Sequence, residues 1–238
     1  MQPPSEKIEV GFRVRGPVDR AILHEIWAAD AYRVRTLPFT PKTVIDIGAH
    51  IGGFALLAAT AWSGCRVIAC ECDPDNLQLL NTNIAGHPQI EVVEAAIVGK
   101  DISEIEFHAV SDKAGDNSGG GSCFLREPGS QTVRVPALSI VKLWQSKQLE
   151  MCDLLKLDCE GAELPILTAL GQAGLLDRVR HIVGEWHAWE GEGNAEPNIT
   201  ARLSALLKST HELVLRPRPG VGLGYFTATR KSEQDKEE

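Results

Sequence analysis

Three carboxylates directly follow an apolar run in the second half of the chain. The segment LLKLDCEGAE at residues 154–163 passes from leucines into Asp158, Glu160 and Glu163. Such side chains can accept a proton from a hydroxyl or bind a hard cation, so this end of the run could do chemistry. Glu163 falls in the first turn of the following helical pattern, where the helix dipole stabilises a carboxylate, and we interpret it as a helix cap.

A second apolar run, VRHIVGEWH, ends in Glu185 and His187. Two interpretations of the combined residues remain open. In one, His187 is a general base that Glu185 or Glu160 orients. In the other, Asp158, Glu160 and Glu185 bind a divalent cation such as Mg²⁺, which would bind and acidify the hydroxyl of a substrate. We lean slightly towards the metal-free base. Lys156 is expected to alternate away from the apolar face of its strand and to have no functional role.

The segment VIDIGAHIGGF, near residue 50, has the form of a strand followed by a glycine-rich turn and a helix. A dinucleotide fingerprint would read G-x-G-x-x-G, but His50 occupies the position of its second glycine between Gly48 and Gly52. Asp46, just before the turn, would repel a pyrophosphate. A cationic ligand without phosphate fits better, and S-adenosylmethionine (SAM) is such a ligand.

The next apolar run ends in Glu71, about 20 residues after the glycine turn. An acid at this distance is where a ribose diol is bound by a carboxylate. The two features in this order therefore predict a cofactor with a ribose, which supports SAM.

The elements that must position these residues are strands alternating with helices from residue 42 onwards. This alternation predicts an α/β fold, a doubly wound and mostly parallel sheet with helices on both faces. Ligands of such sheets bind at the carboxyl ends of the strands, where the acids lie. We divide the chain into a helical lead-in (1–40), a SAM-binding domain (41–230) and a disordered charged tail (231–238).

Several segments together resemble the FkbM-type SAM-dependent methyltransferases. The segments are VIDIGAHIGGFAL, EVVEAAI, VPALSI, DLLKLDCEGAELPIL and IVGEWH, in this order. The resemblance covers roughly residues 22–190 and implies the Rossmann-like class I methyltransferase fold, a seven-stranded sheet that ends in an antiparallel hairpin. It also implies O-methylation of a hydroxyl on a small molecule, a sugar or a natural product. The chain departs from the family at Leu138-Ser139, where an acid often follows the leucine.

The resemblance also assigns parts of the cofactor to residues. Asp46, Gly48, His50 and Gly52 would line the methionine part, Glu71 would hold the ribose, and Glu94, Ala95 and Ala96 would lie beside the adenine. Ala49, Cys72 and Asp158 complete the expected cofactor site.

Composition limits the partners. The net charge of −8 argues against nucleic acid or an anionic membrane as the main partner. We therefore expect a small-molecule hydroxyl acceptor, with a homo-oligomer left possible. No stretch has the length of a signal peptide or a membrane span, so we expect a cytoplasmic protein. The six cysteines are interpreted as reduced thiols.

Two other functions remain open, a nucleotide-sugar or NAD-dependent oxidoreductase or epimerase and a non-catalytic SAM-binding protein. The missing dinucleotide fingerprint and the absence of a Tyr-x-x-x-Lys pair argue against the first. The complete set of acidic strand ends argues against the second. A Gly/Ser-rich loop at 111–122 is expected to be mobile and to close over the bound ligands.

Overall fold

A computed structural model describes residues 11–110, 120–123, 130–187, 199–218 and 223–232. Its α-helices are α1 (Pro17–Trp27), α2 (Gly53–Ala61), α3 (Pro74–Asn83), α4 (Ile140–Ser146), α5 (Glu163–Gln172) and α6 (Ile199–Leu207). Its strands are β1 (Thr43–Ile47), β2 (Arg66–Glu71), β3 (Ile90–Glu94), β4 (Ala96–Val98), β5 (Glu104–Ala109), β6 (Gln131–Ser139), β7 (Leu154–Leu157), β8 (His181–His187), β9 (His211–Arg218) and β10 (Leu223–Arg230). Most of the expected charged tail (231–238) and most of the expected mobile loop (111–122) lie outside the described residues.

Seven strands form the main sheet in the order β3-β2-β1-β7-β8-β10-β9. The first five of these strands are parallel, and β10 runs antiparallel to both β8 and β9. The predicted seven-stranded α/β fold with a closing hairpin is thus confirmed. The chain order reverses between β1 and β7, and an open α/β sheet binds its ligands beside such a point.

The segment IEVVEAAIV, which the sequence pattern predicts as one strand, forms two. The chain turns at Ala95, whose N–H donates to the carbonyl of Val93 at 3.0 Å, and β4 leaves the main sheet. β4 then pairs with β6 in a second sheet of order β4-β6-β5. The apolar run is continuous because β4 is buried in a different layer, and hydrophobicity alone does not reveal a change of sheet.

The two faces of the main sheet are covered by different helices. On one face, Ile45 of β1 and Leu155 of β7 pack in a core with side chains of α4, α5 and α6. On the other face, Val44 and Leu154 pack with side chains of α1, α2 and α3. Burial on both faces explains why the central strands read as continuous apolar runs.

The N-terminal segment packs closely against the sheet. Ile26, Tyr32 and Val34 belong to the core on the α1–α3 face, and Trp27 donates its indole N–H to the carbonyl of Gly53 at 3.0 Å. This packing brings residues of the lead-in to the carboxyl ends of the strands. Among the described residues, no helix is both long and apolar enough to cross a membrane.

Candidate active site

A cavity of about 290 Å³ lies at the carboxyl ends of the central parallel strands. Its wall contains residues from the turns after β1, β2 and β7, from the end of β8, from α1 and from the small sheet. The cavity crosses the point where the strand order reverses. The fold therefore brings most of the predicted site residues to the wall of one cleft.

The turn after β1 is built from residues with unusual backbone conformations. Gly48 has φ 79°, and a Cβ there would lie 1.7 Å from the carbonyl oxygen of Asp158, so only glycine fits. His50 also adopts a left-handed conformation, at φ 52°, and its N–H donates to Glu71 Oε2 at 2.7 Å. The backbone of the β1 turn thus helps to fix the carboxylate at the end of β2.

Glu71 is held mainly by backbone groups. Besides the N–H of His50, the N–H groups of Cys72 and Asp73 donate to Glu71 Oε1, each at 2.8 Å. Burial raises the pKa of Glu71, and these backbone donors counteract that effect. A carboxylate this rigidly held at the cavity wall could accept hydrogen bonds from the hydroxyls of a ribose.

The structure divides the predicted cofactor residues into two groups. Those that line the cavity are Gly48, His50, Glu71, Cys72, Ala95, Ala96 and Asp158. Those that do not are Asp46, Ala49, Gly52 and Glu94. Gly52 is the N-cap of α2, and a Cβ there would meet the side chains of Leu80 and Ile84. Glu94 is exposed to solvent at the end of β3.

Lys156 occupies a different place from the one that strand alternation predicts. Its side chain is 3% exposed, and Nζ lies 3.1 Å from Asp46 Oδ1 and 2.6 Å from the carbonyl oxygen of Gly48, to which it donates. The expectation that Lys156 alternates away from the apolar face to an exposed position is wrong, because both faces of a central parallel strand are covered. Lys156 and the fully buried Asp46 form an ion pair beneath the β1 turn.

Asp158 connects this ion pair to the cavity. Its Oδ2 lies 3.9 Å from Lys156 Nζ and accepts a hydrogen bond from the hydroxyl of Tyr32 at 2.6 Å. Burial would raise the pKa of Asp158, but the charges of Lys156 and His187 and the Tyr32 hydroxyl outweigh it and lower the pKa. Asp158 is therefore a fixed carboxylate at the cavity wall.

The four predicted catalytic residues lie close together at the cavity wall. Ligand atoms of Asp158, Glu185 and His187 lie within 4.8 Å of one another, a grouping that could hold a metal ion. Glu160 Oε2 lies 3.6 Å from His187 Nε2. Glu160 adopts a left-handed backbone conformation, at φ 52°, which is costly for a non-glycine residue and is typical of functional sites.

Glu163 differs from its interpretation as a helix cap. It is fully buried, and its carboxylate accepts hydrogen bonds from the N–H groups of Cys159 and Gly161, which precede α5 rather than belong to it. Its Oε1 also lies 3.1 Å from His187 Nδ1. The carboxylate that orients His187 through Nδ1 is therefore Glu163, and not Glu185 or Glu160 as expected.

The charges in the cluster set its protonation state. Burial alone would lower the pKa of His187, but Glu163, Glu160 and Asp158 outweigh burial and raise it to about 10. Burial raises the pKa of Glu160 to about 8 and that of Glu185 to about 7. Near neutral pH, His187 therefore carries a proton, while Glu185 is present in both its protonated and its charged form.

The residues around the cavity suit a cationic cofactor. Five carboxylate side chains line it, and the described lining contains one guanidinium, that of Arg218. The lining acids are Glu25, Glu71, Asp158, Glu160 and Glu185. At the other end, Ala95, Ala96 and Phe107 provide an apolar wall that fits a planar base. This donor set would attract a sulfonium and an ammonium and would repel the pyrophosphate of a dinucleotide.

Sequence analysis missed three residues at this site. Tyr32 and Glu25 come from the N-terminal segment, and Arg218 comes from β9, where Nη1 lies 3.3 Å from Glu185 Oε1. Tyr32 and Asp158 are separated by 126 positions in the chain, and no local pattern connects residues so far apart.

Comparison with known proteins identifies the family of this chain. The methyltransferase FkbM domain matches residues 46–214, more than half of the chain. Methyltransferase sdnD of Sordaria araneosa is 25% identical in an alignment of 241 positions that covers 90% of each protein. In a solved fibrillarin/Nop5p complex, one chain matches at TM-score 0.50 and 13% identity, covering 88% of this chain and 82% of that one, which bears on the fold alone. The chain thus belongs to the FkbM methyltransferase family and is a SAM-dependent methyltransferase.

Proposed function

We propose that this protein transfers the methyl group of SAM to a hydroxyl oxygen of a small molecule. The observation that carries the proposal is the convergence of Asp158, Glu185 and His187 at the wall of the cavity, beside the residues that suit the cofactor. A hydroxyl that attacks a methyl group must lose its proton, and such a cluster can receive it. When bound, SAM supplies a methyl group on a positively charged sulfur.

The cofactor and the acceptor would occupy different strand ends. The apolar wall at Ala95 and Ala96 fits the adenine, Glu71 fits the ribose, and the β1 turn fits the methionine part. In this arrangement the sulfur would lie towards β7 and the acceptor beside β8. The protein would then hold the acceptor oxygen in line with the methyl group, which supplies much of the rate.

Glu185 is the best candidate for the general base. Its pKa of about 7 is close to the value at which a base is most effective at neutral pH. Because His187 is protonated, it would donate a hydrogen bond to the acceptor oxygen or to a neighbouring carboxylate instead of accepting a proton. In this proposal Asp158 and Tyr32 fix the position of the acceptor oxygen.

The metal-dependent alternative rests on the same cluster, with His187 in place of Glu160 as the third ligand. Mg²⁺ prefers oxygen ligands, and the third group of this cluster is the imidazole of His187. We therefore propose a metal-free reaction. EDTA should leave methyl transfer within about twofold of its initial rate, whereas loss of activity that Mg²⁺ or Mn²⁺ restores would establish the metal mechanism.

The test of the function is methyl transfer from radiolabelled SAM to a panel of small hydroxylated molecules, with matched amine and thiol analogues. The proposal predicts labelled methyl ethers that are stable to mild base, unlike methyl esters. The Glu185→Gln variant should form them far more slowly. Transfer to amines or thiols alone, or to carboxylates as esters, would contradict O-methylation of a hydroxyl while leaving the methyltransferase assignment intact.

A further inference from the structure

The closing hairpin extends outward from the catalytic cluster as a continuous row of side chains. In the sheet register, Tyr225 lies opposite Glu185 on one side and opposite Arg216 on the other. Leu223 lies between His187 and Arg218 in the same way. Directly paired residues of neighbouring strands point to the same face, so one row runs from Glu185 to Arg216 and the other from His187 to Arg218.

Arg216 is held with most of its donors unused. Its Nη2 donates to the carbonyl oxygen of Ala31 at 2.7 Å, and its guanidinium carbon lies 5.5 Å from the centroid of the Tyr225 ring. Within the described part of the chain it makes no ion pair. Burial lowers the pKa of Arg216, and the positive charge of the nearby Arg33 lowers it further. Asp30 is close enough to interact electrostatically with both arginines, so one carboxylate accompanies two guanidinium groups and an excess of positive charge remains.

Arg218 links this pair to the cavity. It lies 3.3 Å from Glu185 and 3.7 Å from Glu25, and its guanidinium carbon is 5.9 Å from the Tyr225 centroid. The two arginines of β9 are two positions apart and so project from the same face of the strand. With Arg33, which lies near Arg216, they form a basic rim, and of the three Arg218 lines the acceptor end of the cavity, whose floor is acidic.

We propose that Arg33, Arg216 and Arg218 bind an anionic group, a carboxylate or a phosphate, of the molecule whose hydroxyl is methylated. This inference rests on the proposed function, because it takes the reacting hydroxyl to lie beside Glu185. Guanidinium groups match both anions with paired hydrogen bonds. The anionic group would lie one to two strand spacings from the reacting oxygen, or roughly 5–10 Å.

The opposite charges of the floor and the rim would orient the acceptor. An anionic group in the cavity would be repelled by Asp158, Glu160 and Glu185, and it gains a partner only at the rim. The face of Tyr225 lies between the two regions and offers a surface for the apolar or ring-shaped part of the molecule. Repulsion at one end and attraction at the other would thus admit the acceptor in one direction only.

Binding of matched probes tests this inference without requiring turnover. Isothermal titration calorimetry, in the presence of saturating S-adenosylhomocysteine, would compare 4-hydroxycinnamate with its methyl ester, and glucose 6-phosphate with glucose. We expect at least one anionic probe to bind tenfold or more tightly than its neutral partner. A preference in the first pair identifies a carboxylate as the anionic group, and one in the second pair identifies a phosphate.

Variants assign the preference to the rim. Arg216→Gln should reduce it to within about twofold, Arg216→Lys should retain part of it, and Arg33→Gln, at an exposed position, should weaken it with no effect on folding. Arg230→Gln, at the opposite end of the hairpin, is the matched control and should retain the full preference.

Two results would overturn the inference. One is that neither anionic probe binds the wild-type protein more tightly than its neutral partner. The other is that the preference persists in both Arg216→Gln and Arg33→Gln. These results differ from failure of the proposed function, which is measured by the absence of methyl ethers. Methyl ethers formed equally from charged and neutral acceptors would retain that function and reject the rim.

Discussion

The two ends of the cavity are built in different ways. At the cofactor end, backbone groups determine most of the geometry. Gly48 allows the carbonyl group of Asp158 to approach closely, and three backbone N–H groups hold the carboxylate of Glu71. At the acceptor end, side chains from distant parts of the chain meet, among them Tyr32, Asp158 and His187. The first end depends on local conformation, and the second depends on the packing of the whole domain.

Because of this difference, substitutions should affect the two ends of the cavity differently. A site made from backbone groups can keep binding the same ligand after many side chains around it are substituted, because backbone donors do not depend on side-chain identity. A site made from side chains on α1, β8 and β9 can alter its shape and charge one residue at a time. We therefore expect the cofactor end to be tolerant of neighbouring substitutions, and the acceptor end to set substrate choice.

The largest effect is expected from Glu185→Gln, which removes the proposed base but preserves its shape. Loss of a general base should slow methyl transfer by about 10²- to 10⁴-fold. SAM affinity should stay within about threefold, since Glu185 belongs to the acceptor end. Steady-state kinetics and calorimetry measure the two quantities. An equal loss of SAM affinity and of kcat would place Glu185 in the cofactor site instead.

Lys156→Met tests the ion pair that supports both ends. Among the described residues, Lys156 is the one cationic side chain that pairs with the fully buried Asp46, so its removal should lower the free energy of unfolding by about 3–5 kcal/mol. Urea denaturation measures this change, and a second substitution, Asp46→Leu, should recover part of it. Lys142→Met, at an exposed ion pair, is the matched control and should cost at most about 1 kcal/mol. Equal effects of the two lysine variants would refute a special role for the buried pair.

Glu71→Gln should affect the cofactor end alone. Hydrogen bonds to a charged group contribute about 1.5–3 kcal/mol, so SAM should bind roughly 10- to 100-fold more weakly. Glu94→Gln provides the control, because Glu94 ends the neighbouring strand but lies outside the cavity. Its affinity should remain within about twofold of wild type. If Glu94→Gln weakens SAM binding as strongly, the described cavity is not the whole cofactor site.

The smallest effect is expected from Tyr32→Phe. Losing one hydrogen bond to Asp158 should reduce kcat/KM by about three- to tenfold. The Tyr32 hydroxyl helps to lower the pKa of Asp158, so its removal should raise that pKa, which NMR titration of the carboxyl groups would measure. An unchanged pKa of Asp158 together with an unchanged kcat/KM would reduce Tyr32 to a packing residue.

The fold and half of the site follow from local patterns in the sequence. Gly48, Glu71, Asp158 and Glu185 each lie just after or at the end of an apolar run, and parallel strands bring such ends to one edge. The seven-stranded sheet follows from the same alternation of strands and helices.

The remainder depends on contacts that no short pattern contains. Tyr32 reaches Asp158 only because α1 packs across the sheet, and Arg218 reaches Glu185 only through the register of the hairpin. Alternation predicts an exposed position for Lys156, and this is wrong because a central parallel strand has no face towards solvent. The contact between Glu163 and His187 could not be predicted from a local pattern, because Glu163 begins α5 and His187 ends β8.

Proton release on cofactor binding tests most directly whether the acids beyond Asp158 face the sulfonium. Near pH 7.5, Glu160 and Glu185 are partly protonated, and a positive sulfur beside them would lower their pKa values and expel protons. Calorimetry in buffers of different ionisation enthalpy should detect more protons released with SAM than with S-adenosylhomocysteine, whose sulfur is neutral, and Glu160→Gln should reduce the difference. Equal release with both ligands would contradict this placement of the cofactor.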